Sequence, residues 1–288
     1  MRFEEAMACS GLLPRSIVPD GKWKRCPTQD KPRKRNGAYL LSIDGSRGWW
    51  RNFALEGEFN TWTGESRIQI DQSALAERAR IHQRREAAQR ATAINSMRQY
   101  FAGLSSLDGE HPYLKAKGLT VQGCAKLRRD GDLLVIPMYR GASLMSIQTI
   151  APDGTKRFRA HCPVAYTSFD LGSPTATITC LAEGFATGLA IYQSVPRVRV
   201  VVCFDAGNLV RVAADRQISG PAVVCADNDW KNHVNVGMQK GLQAAQQIGC
   251  GIAYPEGIEG TDWADALAEW RSPARLHMEI VRRAKVCN

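Results

Sequence analysis

The chain has nine cysteines in 288 residues but no C-x-x-C pair. The thiols stand at positions 9, 26, 124, 162, 180, 203, 225, 250 and 287. Without paired thiols no zinc ribbon or zinc finger can be drawn, and no zinc is expected. An odd count at irregular spacing is not a disulfide framework; it fits free thiols in a reducing, cytoplasmic setting. No apolar run approaches the ~18 residues needed to span a bilayer, so no membrane partner is expected. The opening MRFEEAMACSGLL lacks the charge pattern of a signal peptide. These residues contain no G-x-x-x-x-G-K-[ST] loop, so no P-loop helicase is fused within them. There is no internal repeat and no low-complexity tract.

What is present in excess is positive charge. Lys and Arg number 38 against 28 Asp and Glu, a net +10. A globular chain this basic points to a polyanionic partner, with nucleic acid the default. The excess is uneven. Residues 1–175 hold 27 basic and 17 acidic side chains, residues 176–270 hold 6 and 10, and residues 271–288 hold 5 and 1. The basic front and tail suit a polyanion, whereas the acidic middle suits bound cations.

Composition and pattern divide the chain into five parts. Residues 1–70 read as a small β-rich domain with short apolar runs between Gly, Pro and Asp clusters. Residues 71–104 read as a long connecting helix, rich in Ala and Arg and free of Gly and Pro until Gly103. Within residues 105–175, DLLVIPMYR and SLMSIQTI flank Gly141-Ala142 as a hairpin in a small mixed sheet. Residues 176–271 alternate apolar strands with helices, the pattern of an α/β fold with a parallel sheet flanked by helices. Residues 272–288 read as a short basic amphipathic helix.

Ligands of open parallel sheets bind beyond the carboxyl ends of the strands. Three strand ends carry acids here: Ala182-Glu183-Gly184, Phe204-Asp205 with Asn208, and Ala226-Asp227-Asn228-Asp229. Asp262 and Asp265 follow the fourth strand. Any one of these could simply open a turn or cap a helix. Gathered at one sheet edge, such carboxylates repel one another and need a hard cation, Mg²⁺ or Mn²⁺, of the kind shared with substrate phosphates. Two such ions can activate a hydroxyl and stabilise a leaving oxygen in nucleotidyl transfer.

The spacing of Glu183-Gly184 and Asp227-x-Asp229 resembles the Toprim domain, which is shared by bacterial-type primases, topoisomerases and some nucleases. LAEGFATGLAIY (181–192), FDAGNL (204–209) and CADND (225–229) resemble the Toprim primases of phages, satellite phages and conjugative plasmids. HPYLKAKGL (111–119) and LLVIPMYRGASLMSIQTIAPDGTKRF (133–158) resemble the front of the primase polymerase core. The resemblance implies a DNA primase that makes short RNA primers from ribonucleoside triphosphates on a single-stranded DNA template. It gives Glu183 the role of general base or metal ligand, and Asp227 and Asp229 that of a metal-binding pair. Asp262 and Asp265 stand where primases place further acids. Thr187 occupies a position that is Asp in cellular replicative primases, and the plasmid and phage branch tolerates Thr there. The basic turn with Lys156, Arg157 and Arg159, together with Arg140, Asp205 and Asn208, would meet nucleotide or template. Without a fused helicase, a separate replicative helicase or single-strand-binding protein would act with it.

The N-terminal segment adds Lys22, Lys24, Arg25, Lys31, Arg33, Lys34 and Arg35, followed by Trp49 and Trp50. Basic residues attract phosphates and aromatic faces stack on unpaired bases, so these are candidates for nucleic-acid binding. The tryptophans could equally form the core of a small domain. The segment resembles a zinc-less counterpart of the domain that precedes primase cores. Two further functions stay open: a Toprim nuclease using the same acids with water, and a non-catalytic single-stranded DNA-binding accessory protein.

Overall fold

The computed structural model describes residues 1–55, 59–64, 72–121, 124–173 and 175–287. They fall into two compact units, Met1–Arg84 and Arg85–Asn288, divided inside the long helix. The domain boundary expected at residues 70 and 71 lies outside the described residues.

The first unit is built from helix α1 (Phe3–Cys9) and strands β1 (Lys24–Cys26), β2 (Gly37–Leu41), β3 (Arg47–Asn52) and β4 (Asn60–Thr63). The strands form an antiparallel sheet in sequence order. Its core gathers Phe3, Met7, Leu12, Cys26, Tyr39 and Trp50. The Phe3 ring meets Trp50 edge-on at 5.7 Å, and the buried Trp50 indole N–H donates to Ser10 Oγ at 2.9 Å. A buried indole keeps its polar handle satisfied in this way.

Helix α2 (Gln72–Ala102) follows, and Gly103 ends it as expected. Its last turns place Ile94, Met97 and Phe101 on one face, where they pack against Val135 and Ile147. Those two residues belong to a second antiparallel sheet of β5 (Ser105–Ser106), β6 (Arg128–Asp130), β7 (Leu133–Arg140), β8 (Ser143–Ile150) and β9 (Lys156–Phe158). Gly141, at φ +57°, turns the expected β7–β8 hairpin. The short helix α3 (Pro112–Ala116) is capped by His111, whose Nδ1 accepts the Tyr113 N–H.

The third sheet contains β10 (Phe169–Gly172), β11 (Ile178–Ala182), β12 (Val198–Val202), β13 (Gly220–Cys225), β14 (Gly251–Ala253) and β15 (Lys285–Cys287). Helices α4 (Phe185–Ser194), α5 (Ala206–Asp215), α6 (Val236–Ile248), α7 (Trp263–Trp270) and α8 (Pro273–Val281) join or cover these strands. The order is β10-β12-β11-β13-β14, with β15 also on β13. Side chains alternate across it. Cys180, Ala182, Val200, Val202, Val223 and Cys225 share a core with Phe185, Trp263 and Leu276, residues of α4, α7 and α8. Leu181, Val201 and Val224 share another with Leu209, Val212 and Ala244 of α5 and α6. Strands covered on both faces explain the unbroken apolar runs in the sequence.

Two expectations need correction. The sheet is parallel only across β12, β11, β13 and β14; β10 and β15 run antiparallel to their neighbours. The tail is not one helix: α8 ends at Val281 and the chain returns as β15. The cause lies in β14, whose three residues pair only with Val223–Cys225. Gly220–Ala222 would be left as an open edge, and β15 pairs there. Among the described residues no helix is long and apolar enough to cross a membrane.

Candidate functional site

Strands β11 and β13 are neighbours, but the chain leaves them in opposite directions, through α4 to β12 and through α6 to β14. A crevice forms where strand order switches in this way, and ligands of such sheets bind there. Glu183 follows β11 directly, and Asp227 and Asp229 follow β13. Beside them Phe204 sits at φ +74°, an unusual conformation for a bulky residue, and donates its N–H to the Glu183 carbonyl at 2.6 Å.

A polar scaffold aims the acids. Buried Thr187, one turn into α4, donates its hydroxyl to Asp227 Oδ1 at 3.2 Å. Asp229 Oδ2 accepts the Gly237 N–H at 3.1 Å, at the start of α6. Asn235 Oδ1 accepts the N–H groups of Asp229 and Met238, and its amide donates to Asn228 Oδ1. Asn228 in turn donates to the Pro255 carbonyl at 2.9 Å. Thr187 stands at the position that the resemblance marked, one helical turn beyond Glu183. Asn228, Asn235 and Gly237 carry no motif in the sequence; their signal is placement in the segment from Asp227 to the start of α6.

The carboxylates feel one another. Desolvation, then the charges of Asp229 and Asp205, push Glu183 above the usual carboxylate range; Lys156 and the Ala206 N–H oppose this. Asp227 is raised well above 3.8 by desolvation and by Glu183 and Asp262, against the Thr187 hydrogen bond. This is the charge deficit of a cation-binding group. Among the described residues no three His, Cys, Asp or Glu side chains are drawn into a ready-made ligand cluster. Mg²⁺ commonly uses one or two carboxylates and takes its remaining ligands from water and substrate phosphates, so the donor set fits that ion.

Asp262 and Asp265 stand differently. Asp262 Oδ1 caps α7 by accepting the N–H groups of Ala264 and Asp265 at 2.7 and 2.8 Å. Its Oδ2 faces Lys117 Nζ at 3.4 Å, and Asp265 Oδ1 meets the same ammonium at 2.8 Å. Asp265 Oδ2 accepts the Thr261 N–H. Burial works against an ionised Asp265, but Lys117 and these N–H groups hold it below the usual range.

The basic residues separate by strand pleat. Lys156 and Arg157 lie on strand β9, not in a turn. Directly opposed residues of neighbouring strands share a face. Lys156 pairs with Ile150 and Phe158 with Gln148, and Phe158 meets Phe204 edge-on at 6.5 Å. Lys156 is thus the basic residue near Glu183. Arg157 pairs with Thr149 and turns to the other face, where it lines a groove of about 550 Å³ with Ser96, Tyr100, Asp130 and Arg159. Arg140 binds Asp215 at 3.0 Å, at the far end of α5 from Asp205, a helix length of about 15 Å. Asp205 caps α5 through the Asn208 N–H. Asn208 is fully buried and braces the Thr167 and Cys203 carbonyls and the Tyr166 N–H, which leaves it a structural role.

In the first unit the pleat also divides the tryptophans. Trp50 points into the core, whereas Trp49 lies on the opposite face with Arg51 and, through the β1–β2–β3 register, Arg25. Arg25 stacks over exposed Phe53 at 4.4 Å, and exposed Trp23 and Phe59 meet at 5.1 Å. Lys24, Arg25, Arg33, Lys34 and Arg35 line a groove of about 570 Å³ together with Arg15. Lys22 and Lys31 are exposed.

Comparison with known proteins finds relatives among the primases. The chain is 30% identical over 282 residues to the DNA primase TraC of Escherichia coli, a match that takes in 88% of this chain and 19% of TraC. The chain therefore spans about a fifth of that relative's length. Among solved structures, it is similar to the primase fragment of the bacteriophage T7 primase-helicase, with TM-score 0.42 and 15% identity over 62% of this chain and 78% of that one. It is also similar to the RNA polymerase domain of Mycobacterium tuberculosis primase DnaG, with TM-score 0.36 and 17% identity over 76% of this chain and 78% of that one. Residues 178–270, from β11 through α7, match the Toprim domain.

Proposed function

We propose that this chain acts as a DNA primase, joining ribonucleoside triphosphates into short RNA primers on a single-stranded DNA template. The observation that carries the reading is the group of Glu183, Asp227 and Asp229 at the switch point of the sheet, with Lys156 beside it. The Toprim match and the likeness to TraC support it.

Asp227, Asp229 and Glu183 would hold Mg²⁺ or Mn²⁺, which would neutralise charge developing on the phosphoryl oxygens. The chain's own groups do the rest. Thr187 and the Gly237 N–H fix the carboxylates of Asp227 and Asp229, so their orientation precedes substrate. The 3′-hydroxyl attacks the α-phosphate of the incoming nucleotide, pyrophosphate leaves, and Glu183, tuned upward by its surroundings, accepts the hydroxyl proton. Lys156 meets a phosphate of the incoming nucleotide. The basic and aromatic face of the first unit, with Arg25, Arg51, Trp49, Phe53, Phe59 and Trp23, takes the template strand by phosphate contact and stacking. A separate helicase or single-strand-binding protein supplies the unpaired template.

The test is substitution at the carboxylates. Asp227→Ala and Asp229→Ala abolish primer synthesis while binding of single-stranded DNA survives. Full synthesis by either variant overturns the proposal.

A further inference from the structure

Lys117 lies just past α3, 145 residues before Asp262, yet its ammonium bridges Asp262 and Asp265. It is more than two-thirds buried there, at 28% side-chain exposure. Every oxygen of the two carboxylates already has a partner: three backbone N–H contacts and two contacts to Lys117. Asp265 is also hemmed in. A Cβ at Gly260 would lie 2.3 Å from Asp265 Cβ, so the loop and the side chain are packed in direct contact. A Mg²⁺ ion needs oxygen ligands at 2.0–2.1 Å in near-octahedral geometry. It could not take Asp262 Oδ2 and Asp265 Oδ1 while the ammonium stands against both.

We propose that Lys117 is a built-in cation of the site, holding the place beside Asp262 and Asp265 so that divalent ions bind only at the Glu183, Asp227 and Asp229 group. A covalently tethered charge has consequences that a dissociable ion lacks. It stays in place at any Mg²⁺ concentration. It offsets the charge of Asp262, which otherwise adds to the repulsion on Asp227. It also ties the segment after α3 to the start of α7. Lys117 is in this sense a positioning residue for the acidic site. The inference rests on the reading of Glu183, Asp227 and Asp229 as the ion-binding group.

Binding of Mn²⁺ alone to the full chain, followed by the electron paramagnetic resonance signal of the free ion, tests it without substrate. Asp262→Asn and Asp265→Asn keep the bound count of the native protein and change its Kd less than threefold, because neither carboxylate holds an ion. Asparagine retains the cap at position 262. Lys117→Met gains one bound Mn²⁺ per chain, and the gain disappears in Lys117→Met/Asp265→Asn. Lys117→Arg keeps the native count. Loss of a bound ion, or weakening beyond threefold, in either Asp variant overturns the proposal; so does an unchanged count in folded Lys117→Met. Should circular dichroism show that Lys117→Met does not fold, the two Asp variants decide alone. Asp227→Asn, which should lose Mn²⁺, tests the carboxylate reading separately, so each idea can fail without the other.

Discussion

Replacing Gly237 with alanine perturbs the site without removing a charged group. The added Cβ would lie 2.4 Å from the Asp227 carbonyl oxygen and 3.2 Å from Asp229 Oδ2. Ordinary contact begins at 3.4 Å, so the strand end and the first turn of α6 must part by about 1 Å. The obstacle is backbone and cannot swing aside. Overpacking of this kind costs about 1–3 kcal/mol, which for a unit of this size lowers Tm by about 2–12 °C. The fold should survive. The Gly237 N–H bond to Asp229 would not, and a misplacement of ~1 Å at a reacting centre costs about 10²-fold in rate. Incorporation of labelled ribonucleotide on single-stranded DNA should fall by that order, and Mn²⁺ binding should weaken with it. Gly103→Ala, whose Cβ would meet nothing closer than 3.6 Å, is the control. Incorporation and Mn²⁺ affinity within threefold of the native protein in Gly237→Ala would refute the idea that this glycine sets the spacing of the acidic pair.

Four further substitutions have outcomes set by the same structure. Asp227 is raised above its ordinary value near 3.8, so its contribution to stability is greatest below that value and is lost as pH rises through the folded-state value. Metal-free Asp227→Asn should therefore melt higher than the native protein at pH 8, with the gap closing towards pH 4; a lower Tm at pH 8 contradicts this. Asp170 is held low despite its burial by Arg216 and Arg199, at 2.9 and 2.6 Å. Its stabilisation is fully present above about pH 4 and is lost as pH falls through the lowered folded-state value, so Asp170→Asn should cost about 1.5–3 kcal/mol in denaturant titrations at pH 7 and progressively less as pH falls below 4. Trp50→Ala, in the core of the first unit, should cost about 3–5 kcal/mol. Exposed Trp23→Ala should leave stability unchanged and weaken single-stranded DNA binding by about 1–3 kcal/mol, a split readable by melting and fluorescence anisotropy.

Local pattern carried much of this architecture. The β7–β8 hairpin, the long Ala- and Arg-rich helix and the strand-helix alternation after residue 176 all follow from periodicity and from glycine placement. The acids at strand ends could be read because a parallel sheet puts those ends on one edge. Side-chain partners were less legible, since they depend on contacts between distant segments. Lys117 reaches Asp262 and Asp265 across a separation that no spacing rule spans. Arg157 looked equivalent to Lys156 until the β8–β9 register assigned them to opposite faces, and Trp49 parted from Trp50 for the same reason. Asn208 carried a polar side chain suited to a ligand, but Thr167 and Cys203 absorb its donors. The last strand was missed because an open edge on β13 is visible only once β14 is known to be short.

The most direct test of the account is synthesis itself. The full chain would be incubated with single-stranded DNA, labelled ribonucleoside triphosphates and Mg²⁺ or Mn²⁺, and the products resolved on a sequencing gel. The account predicts short, template-dependent RNA products that require the divalent ion and vanish in Asp227→Ala. Cleavage of the DNA without incorporation, or binding that is the same with and without the ion and yields no product, would contradict it.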